Sequence, residues 1–204
     1  MIMETTDRIK QVKDYFFNLV PELHDEKWKA FEEIVSFRQY KKGDVIIKPG
    51  MICNFVSFVN YGLMRSYYLI DGKEFIISFV AENCYFSDYE SFLSRMPSQM
   101  YADVLEDTEV VEINYDNLQN LYRKYPECER AGRFVAEGLF VLLSERNASL
   151  LLQTPEQRYL QFLNKWSHIS SRVPQYMIAA YLGITPEALS RIRARMSRQG
   201  VTVN

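Results

Sequence analysis

A chain of 204 residues that is 48% hydrophobic and 25% charged carries enough apolar material for one large domain or two small ones, and its balance is not that of a disordered polymer. Three widely spaced cysteines (Cys53, Cys84, Cys128) and only two histidines (His24, His168) argue against a disulfide framework and against a Cys-x-x-Cys or His-rich metal site; a reduced, cytoplasmic setting is the expectation. The net charge of −2 hides an asymmetry: residues 1–153 carry 17 basic and 24 acidic side chains, whereas residues 154–204 carry 7 and 2, which marks either a nucleic-acid domain or a solvated basic helix.

Neither feature of a membrane protein is found. The start, Met1-Ile2-Met3-Glu4-Thr5-Thr6-Asp7, lacks the basic region and apolar core of a signal peptide. The apolar stretch Leu139 to Leu143 is far too short to cross a bilayer.

Residues 5–36 are expected to be helical. Ile9, Val12, Phe16 and Leu19 recur at the spacing of one helix face, and Pro21 ends the run. Asp25 caps a second helix whose stripe is Trp28, Phe31, Ile34 and Val35. From residue 37 to 115 the pattern is β. Turn signals at Lys42-Gly43-Asp44, Pro49-Gly50, Tyr61-Gly62 and Asp71-Gly72 separate runs rich in Val, Ile, Phe and Tyr: 44–48, 55–60, 63–70, 74–80 and 102–113. Asp71-Gly72 supplies the two positive φ angles of a tight hairpin. Many short strands at regular spacing predict a sandwich or barrel.

The chain then returns to helix. A short one fits 115–125, ended by Pro126, and a long one fits 127–152. Ala131, Val135, Gly138, Leu142, Ser149 and Leu152 approximate a heptad seam, while Phe134, Leu139, Val141 and Leu143 fill a second face. A helix apolar on two sides must be covered twice. A second copy of the same helix would supply the second cover and make a twofold dimer; burial inside one subunit is the competing reading. Thr154-Pro155-Glu156 is a helix start, a capping threonine followed by proline at the first helical position, and the charge changes sign there.

Residues 173–197, VPQYMIAAYLGITPEALSRIRARMS, carry the most specific pattern. Gln175 to Leu182 fits a short helix that faces inward through Ile178, Ala179 and Leu182, and Gly183 ends it in a left-handed or tight-turn conformation. Ile184 plugs the turn. Thr185 caps a second helix, with Pro186 at its first position and Glu187 near the positive end of its dipole. Leu189, Ile192 and Met196 form the inward stripe. This is a helix-turn-helix, whose second helix is expected in the major groove. Glu187, Ser190 and Arg191 lie at i, i+3 and i+4 and project together: Arg donates to guanine, Glu accepts from cytosine, Ser does either. Arg195, a turn further, reaches phosphate, and Arg193 and Arg198 are backbone or solvent residues.

A β zone, a long helix and a C-terminal helix-turn-helix together resemble the cyclic-AMP receptor / fumarate–nitrate regulator (Crp–Fnr) superfamily of bacterial transcription factors. The resemblance spans essentially the whole chain and is sharpest over Leu182-Gly183-Ile184-Thr185-Pro186-Glu187-Ala188-Leu189-Ser190-Arg191. It implies an α+β fold: a double-stranded β-helix (jelly roll) of cyclic-nucleotide-binding type with N-terminal helices over 1–126, a long dimerisation helix over 127–153, and a helical, winged-helix-like domain over 154–204. It implies double-stranded DNA, a second copy of the chain and RNA polymerase as partners, and it implies base contact by Glu187, Ser190 and Arg191, beside which Thr185, Ala188 and Arg195 are the further residues expected at DNA. Pro186, where the cyclic-AMP branch has arginine, favours a TTGA-like half-site. The wing of many members has only Gly200-Val201-Thr202-Val203-Asn204 to form from.

The roll departs from the family pattern. Ser87-Asp88 stands where cyclic-AMP binders have Gly-Glu, and Met100 stands where their phosphate-binding arginine would be. A buried phosphate requires a charge-assisted partner, so cyclic AMP would need Arg95 or Arg65 to take over, and no cofactor is expected. With Cys53 as the first cysteine, the clustered N-terminal cysteines of the iron–sulfur branch are missing, and the histidines offer no axial haem ligand in the roll. An unidentified small effector is the remaining expectation, bound near Ser87, Asp88, Tyr89, Met100 and Tyr101; core packing of Tyr61, Tyr67, Tyr85, Tyr89 and Tyr101 is the alternative.

An enzyme is not expected. A cupin-type jelly roll needs clustered histidine ligands, and residues 37–115 contain none; Gly-x-Ser-x-Gly and phosphate-cradling loops are missing too. The surviving rival is a ligand-binding or protein-interaction module of the same fold that does not bind DNA. In the regulator reading, the junction Gln153-Thr154 is the hinge between roll and DNA domain.

Overall fold

The structure is a computed structural model that describes residues 5–21 and 25–198. Its elements, in chain order, are α1 (Thr5–Leu19), α2 (Asp25–Glu32), β1 (Ser36–Tyr40), β2 (Val45–Ile47), β3 (Phe55–Tyr61), β4 (Met64–Ile70), β5 (Lys73–Val80), β6 (Tyr85–Phe86), α3 (Tyr89–Ser94), β7 (Tyr101–Val104), β8 (Thr108–Asn114), α4 (Tyr115–Lys124), α5 (Pro126–Leu152), α6 (Pro155–Lys165), α7 (Ser167–Ser170), α8 (Gln175–Leu182) and α9 (Pro186–Arg198). The fold is α+β, an antiparallel jelly roll followed by helices.

Two four-stranded sheets make the roll, in the orders β1-β8-β3-β6 and β2-β7-β4-β5. The central pair of the first sheet is β3–β8, in register from Phe55 opposite Asn114 to Val59 opposite Val110. The ladder then bulges between Val59 and Tyr61, and Gly62 follows at φ +107°. A Cβ on Gly62 would lie 2.3 Å from Thr108 Oγ1 and 2.6 Å from its Cα, so this corner admits no side chain. Asp71 (φ +50°) and Gly72 (φ +76°) form the expected two-residue hairpin between β4 and β5. Phe58, Ile47, Leu63, Met64, Phe79 and Phe92 are fully buried in the roll. Helix α1 lies on β3 and β8 through an aromatic cluster in which Tyr15, Phe16, Phe58 and Tyr85 meet edge to face.

Several local expectations change. Helix α2 ends at Glu32; Ile34 and Val35 lie in the turn that leads into β1, which pairs with β8 from Ser36 onward. The run 102–113 is two strands: β7 belongs to one sheet and β8 to the other, and residues 105–107 carry the chain between them. Pro126 opens α5 rather than only closing α4, consistent with its preset φ and missing N–H. The short helices α3 and α7 are too brief to show a period in the sequence. The five-residue segment expected as a possible wing strand, Gly200 to Asn204, lies outside the described residues.

The chain divides into two compact units, Met1–Ser66 with Phe79–Leu139, and Tyr67–Ser78 with Phe140–Asn204. The division falls inside α5, between Leu139 and Phe140, so the distal half of the long helix belongs to the same body as α6–α9. The buried centre of that body is Tyr159, Phe162, Ile169, Ile178, Leu182, Leu189 and Met196. Among the described residues no helix is long and apolar enough to cross a membrane.

Candidate nucleic-acid interface

Helices α8 and α9 pack on one another around a turn with the expected chemistry. Gly183 takes the left-handed conformation at φ +68°; its N–H reaches Ala179 and Ala180 carbonyls, and Ile184 N–H bonds Ala179 O at 3.0 Å. Thr185 Oγ1 accepts from Ala188 N–H at 3.2 Å and Thr185 O accepts from Leu189 N–H at 3.1 Å, which satisfies the entry to α9.

Along α9, Leu189, Ile192 and Met196 are buried, while Thr185, Glu187, Ser190, Arg191 and Arg195 are exposed and Ala188 is half-buried. At 100° per residue, Glu187, Ser190, Arg191, Ala194 and Arg198 share one outward row and Arg195 stands at its flank. The Glu187 carboxyl is held below the usual carboxylate range, first by its own backbone N–H and then by the Thr185 hydroxyl, with Arg191 adding a smaller effect. An ionised acceptor, a hydroxyl and a guanidinium thus stand side by side in open solvent. That set can read base edges in a major groove.

Arg195, expected at phosphate, pairs with Glu156 in the first turn of α6. Residues outside the helix-turn-helix also converge on its turn. Arg146, from α5, donates Nη2 to Tyr181 O and lies 3.9 Å over the Tyr181 ring; burial lowers its pKa from the ordinary guanidinium value. Arg158, from α6, donates Nε to Leu182 O at 3.0 Å and Nη1 to Gln153 O at 2.7 Å. Sequence reasoning missed Arg146, Arg158 and the pairing of Arg195 with Glu156, because a contact between distant segments leaves no local pattern.

The faces of α5 are unequal. Ala131 (1% exposed) and Ser149 (7%) are buried within the subunit, Val135 and Leu142 are half-buried, and Gly138 is exposed. Ser149 Oγ lies within hydrogen-bond distance of Gln153 Oε1 (2.6 Å) and Gln161 Oε1 (3.1 Å). Leu152 of the expected seam is open (83%), as are Val141 (54%) and Leu151 (85%); Phe140 (71%), Leu143 (43%) and Leu150 (43%) are open too and stand with Ala136 and Asn147 at intervals of four, three, four and three.

In the roll, the residues expected around an effector are engaged with the protein. Ser87 Oγ donates to Phe55 O at 2.9 Å; Asp88 caps α3 by accepting from Ser91 N–H at 3.2 Å; Tyr89 stacks on Phe92; Met100 is buried and Tyr101 half-buried. Arg95 donates to Cys53 O, Phe92 O and Asn54 Oδ1 and covers the Tyr115 ring at 4.1 Å. Arg65 makes a buried bidentate pair with Asp103, Nε–Oδ1 2.8 Å and Nη2–Oδ2 2.9 Å.

Comparison with known proteins places these features in context. Residues 37–125 match the cyclic nucleotide-binding domain family. The chain is 26% identical over 201 residues to the "Anaerobic regulatory protein" of Haemophilus influenzae, covering 88% of this chain and 74% of that protein. It is 26% identical over 196 residues to the "Transcriptional activator protein FnrA" of Stutzerimonas stutzeri, covering 88% and 78%. The structure of FixK2 from Bradyrhizobium japonicum superposes with a TM-score of 0.72 at 22% identity, over 82% of this chain and 86% of that one.

Proposed function

We propose, because the chain belongs to the Crp–Fnr family of regulators, that it is a sequence-specific DNA-binding transcription regulator that acts as a homodimer on a palindromic site. The observation that carries this reading is the exposed row Glu187, Ser190, Arg191 on a capped helix whose other face is buried, within the chain's basic segment. Residues 1–126 form the sensor roll, 127–153 the dimerisation helix and 154–204 the DNA-binding domain. Each α9 enters one major groove, and the half-sites, TTGA-like in sequence, lie about one helical turn apart, roughly 34–36 Å. RNA polymerase is a further partner.

The dimer seam in this reading is Ala136, Phe140, Leu143, Asn147 and Leu150. These have the a/d spacing of a coiled coil; Ala136 is half-buried and the others are open in the subunit, whereas Ala131 and Ser149 face their own chain. Asn147 in an a/d position favours one register and two strands.

The sensor roll does not take cyclic AMP. A cyclic phosphate needs a free buried cation. Met100 supplies none, Arg65 is neutralised by Asp103, and Arg95 is spent on three acceptors and a ring. Calorimetric titration with cyclic AMP should give no saturable heat; one site per subunit would overturn this.

The functional test is selection of duplexes from a random pool by ligand-free protein, with Glu187→Ala/Arg191→Ala beside it. An inverted repeat enriched by the wild type and not by the variant supports the reading. Arg191→Ala alone should lose about 1–3 kcal/mol per half-site and relax preference at one base. Binding that is salt-insensitive, or equal on every duplex, would count against it.

A further inference from the structure

Helix α8 ends with four carbonyls that have no partner inside the helix. The turn itself satisfies two of them, since Gly183 and Ile184 N–H groups bond Ala179 and Ala180. The last two, Tyr181 O and Leu182 O, accept from arginines of two other helices, Arg146 of α5 and Arg158 of α6. Both cations sit at the negative end of the α8 dipole. Arg158 also reaches back to Gln153 O, so one guanidinium joins the ends of α5 and α8. Leu150 of α5 lies beside the turn, 3.7 Å from where a Gly183 Cβ would be. The supposed hinge is bound as well: Thr154 and Gln157 form a reciprocal capping box, and Ser149 contacts Gln153 and Gln161 across it.

We infer that Arg146 and Arg158 are positioning residues for DNA recognition: they clamp the turn of the helix-turn-helix to the distal half of α5, so that α9 and that half-helix move as one body and flexion at Gln153-Thr154 is suppressed. The inference rests on the proposed regulator function and deepens it. If α5 forms the twofold seam, the clamp carries the spacing between two recognition helices, and hence the half-site spacing, directly from the dimer helix. Charge alone does not do this. Lysine keeps the positive charge but loses the planar, multi-donor geometry that ties two acceptors and stacks on a ring.

The test is Arg146→Lys/Arg158→Lys, with Arg146→Lys alone as the milder variant should the double variant unfold. Affinity is measured on the selected palindrome and on the same half-sites with one base pair inserted or removed between them. The wild type should lose about tenfold or more on the altered spacings, and the variant about threefold or less, with base preference and thermal midpoint retained. A residue important only for folding would lower affinity on all duplexes alike. A second readout needs no DNA: spin labels at Ser144→Cys and Ser197→Cys in a Cys84→Ser background, with labelled protein diluted into unlabelled, should give a narrow distance distribution that broadens in the variant. An unchanged distribution with unchanged spacing preference overturns the clamp. Failure of the wild type to select any duplex, with the distribution still broadening, counts against DNA binding by the ligand-free protein and leaves the clamp standing.

Discussion

At the residue scale, single side chains are held by partners that sequence proximity does not reveal. The Arg65–Asp103 pair is the clearest case. Two charges taken out of water are stable there because the bidentate geometry satisfies both, and removing one partner strands the other. Arg65→Ala should therefore cost about 3–5 kcal/mol in denaturant unfolding, while the apolar pair Arg65→Met/Asp103→Leu should recover most of the loss. A double variant no better than the single would mean that the arginine's stem, rather than the stranded carboxylate, dominates the penalty. In the recognition row, by contrast, Glu187, Ser190 and Arg191 have little to hold them except their own helix, and for that reason their arrangement is legible from spacing alone.

At the element scale, strands β1 and β8 place Glu112 in a half-buried position beside Tyr40 and Arg38. The Tyr40 hydroxyl donates to it at 3.5 Å and Arg38 Nε lies 3.8 Å away, yet burial dominates and raises its pKa above the ordinary carboxylate value; the same burial, with Glu112 beside it, pushes Tyr40 up to about 12. A carboxyl raised in the folded state binds more protons folded than unfolded, so its contribution favours folding at low pH and is lost as pH rises through the folded value. Glu112→Gln keeps the shape and removes the charge. Its thermal midpoint should exceed that of the wild type at pH 7, and the gap should close by about pH 4, near the ordinary glutamate value. An equal or lower midpoint at pH 7 would show that the Arg38 pair outweighs desolvation. The strands themselves show where pattern reading stops. The run 102–113 reads as one strand, yet Leu105-Glu106-Asp107 break it and the two halves join different sheets, β7 one and β8 the other.

At the scale of the whole molecule, the long helix α5 belongs to both compact units and carries the open apolar stripe. Phe140→Asp/Leu143→Asp should give a monomer in sedimentation equilibrium while leaving the subunit cooperatively folded, because both side chains are exposed within it. Binding to the palindrome should then fall to that of a single half-site. Ala131→Asp should instead unfold the subunit, since that position is covered by its own chain. A variant at Phe140 and Leu143 that stays dimeric would move the seam to another face.

From the sequence alone came the class of the fold, the two-residue hairpin at Asp71-Gly72, the capped start at Thr154 and the helix-turn-helix with its outward row. The last three depend on neighbours within about one or two turns of chain, where φ preference, capping and the 3.6-residue period act directly, and the class of the fold on the succession of such local patterns along the chain. Tertiary structure alone decided which sheet each strand joins, which apolar face of α5 remains open, and that Arg65, Arg146 and Arg158 have partners 38, 35 and 24 residues away. Those outcomes follow from contacts between distant segments, and a side chain's local pattern is the same whether such a contact forms or not.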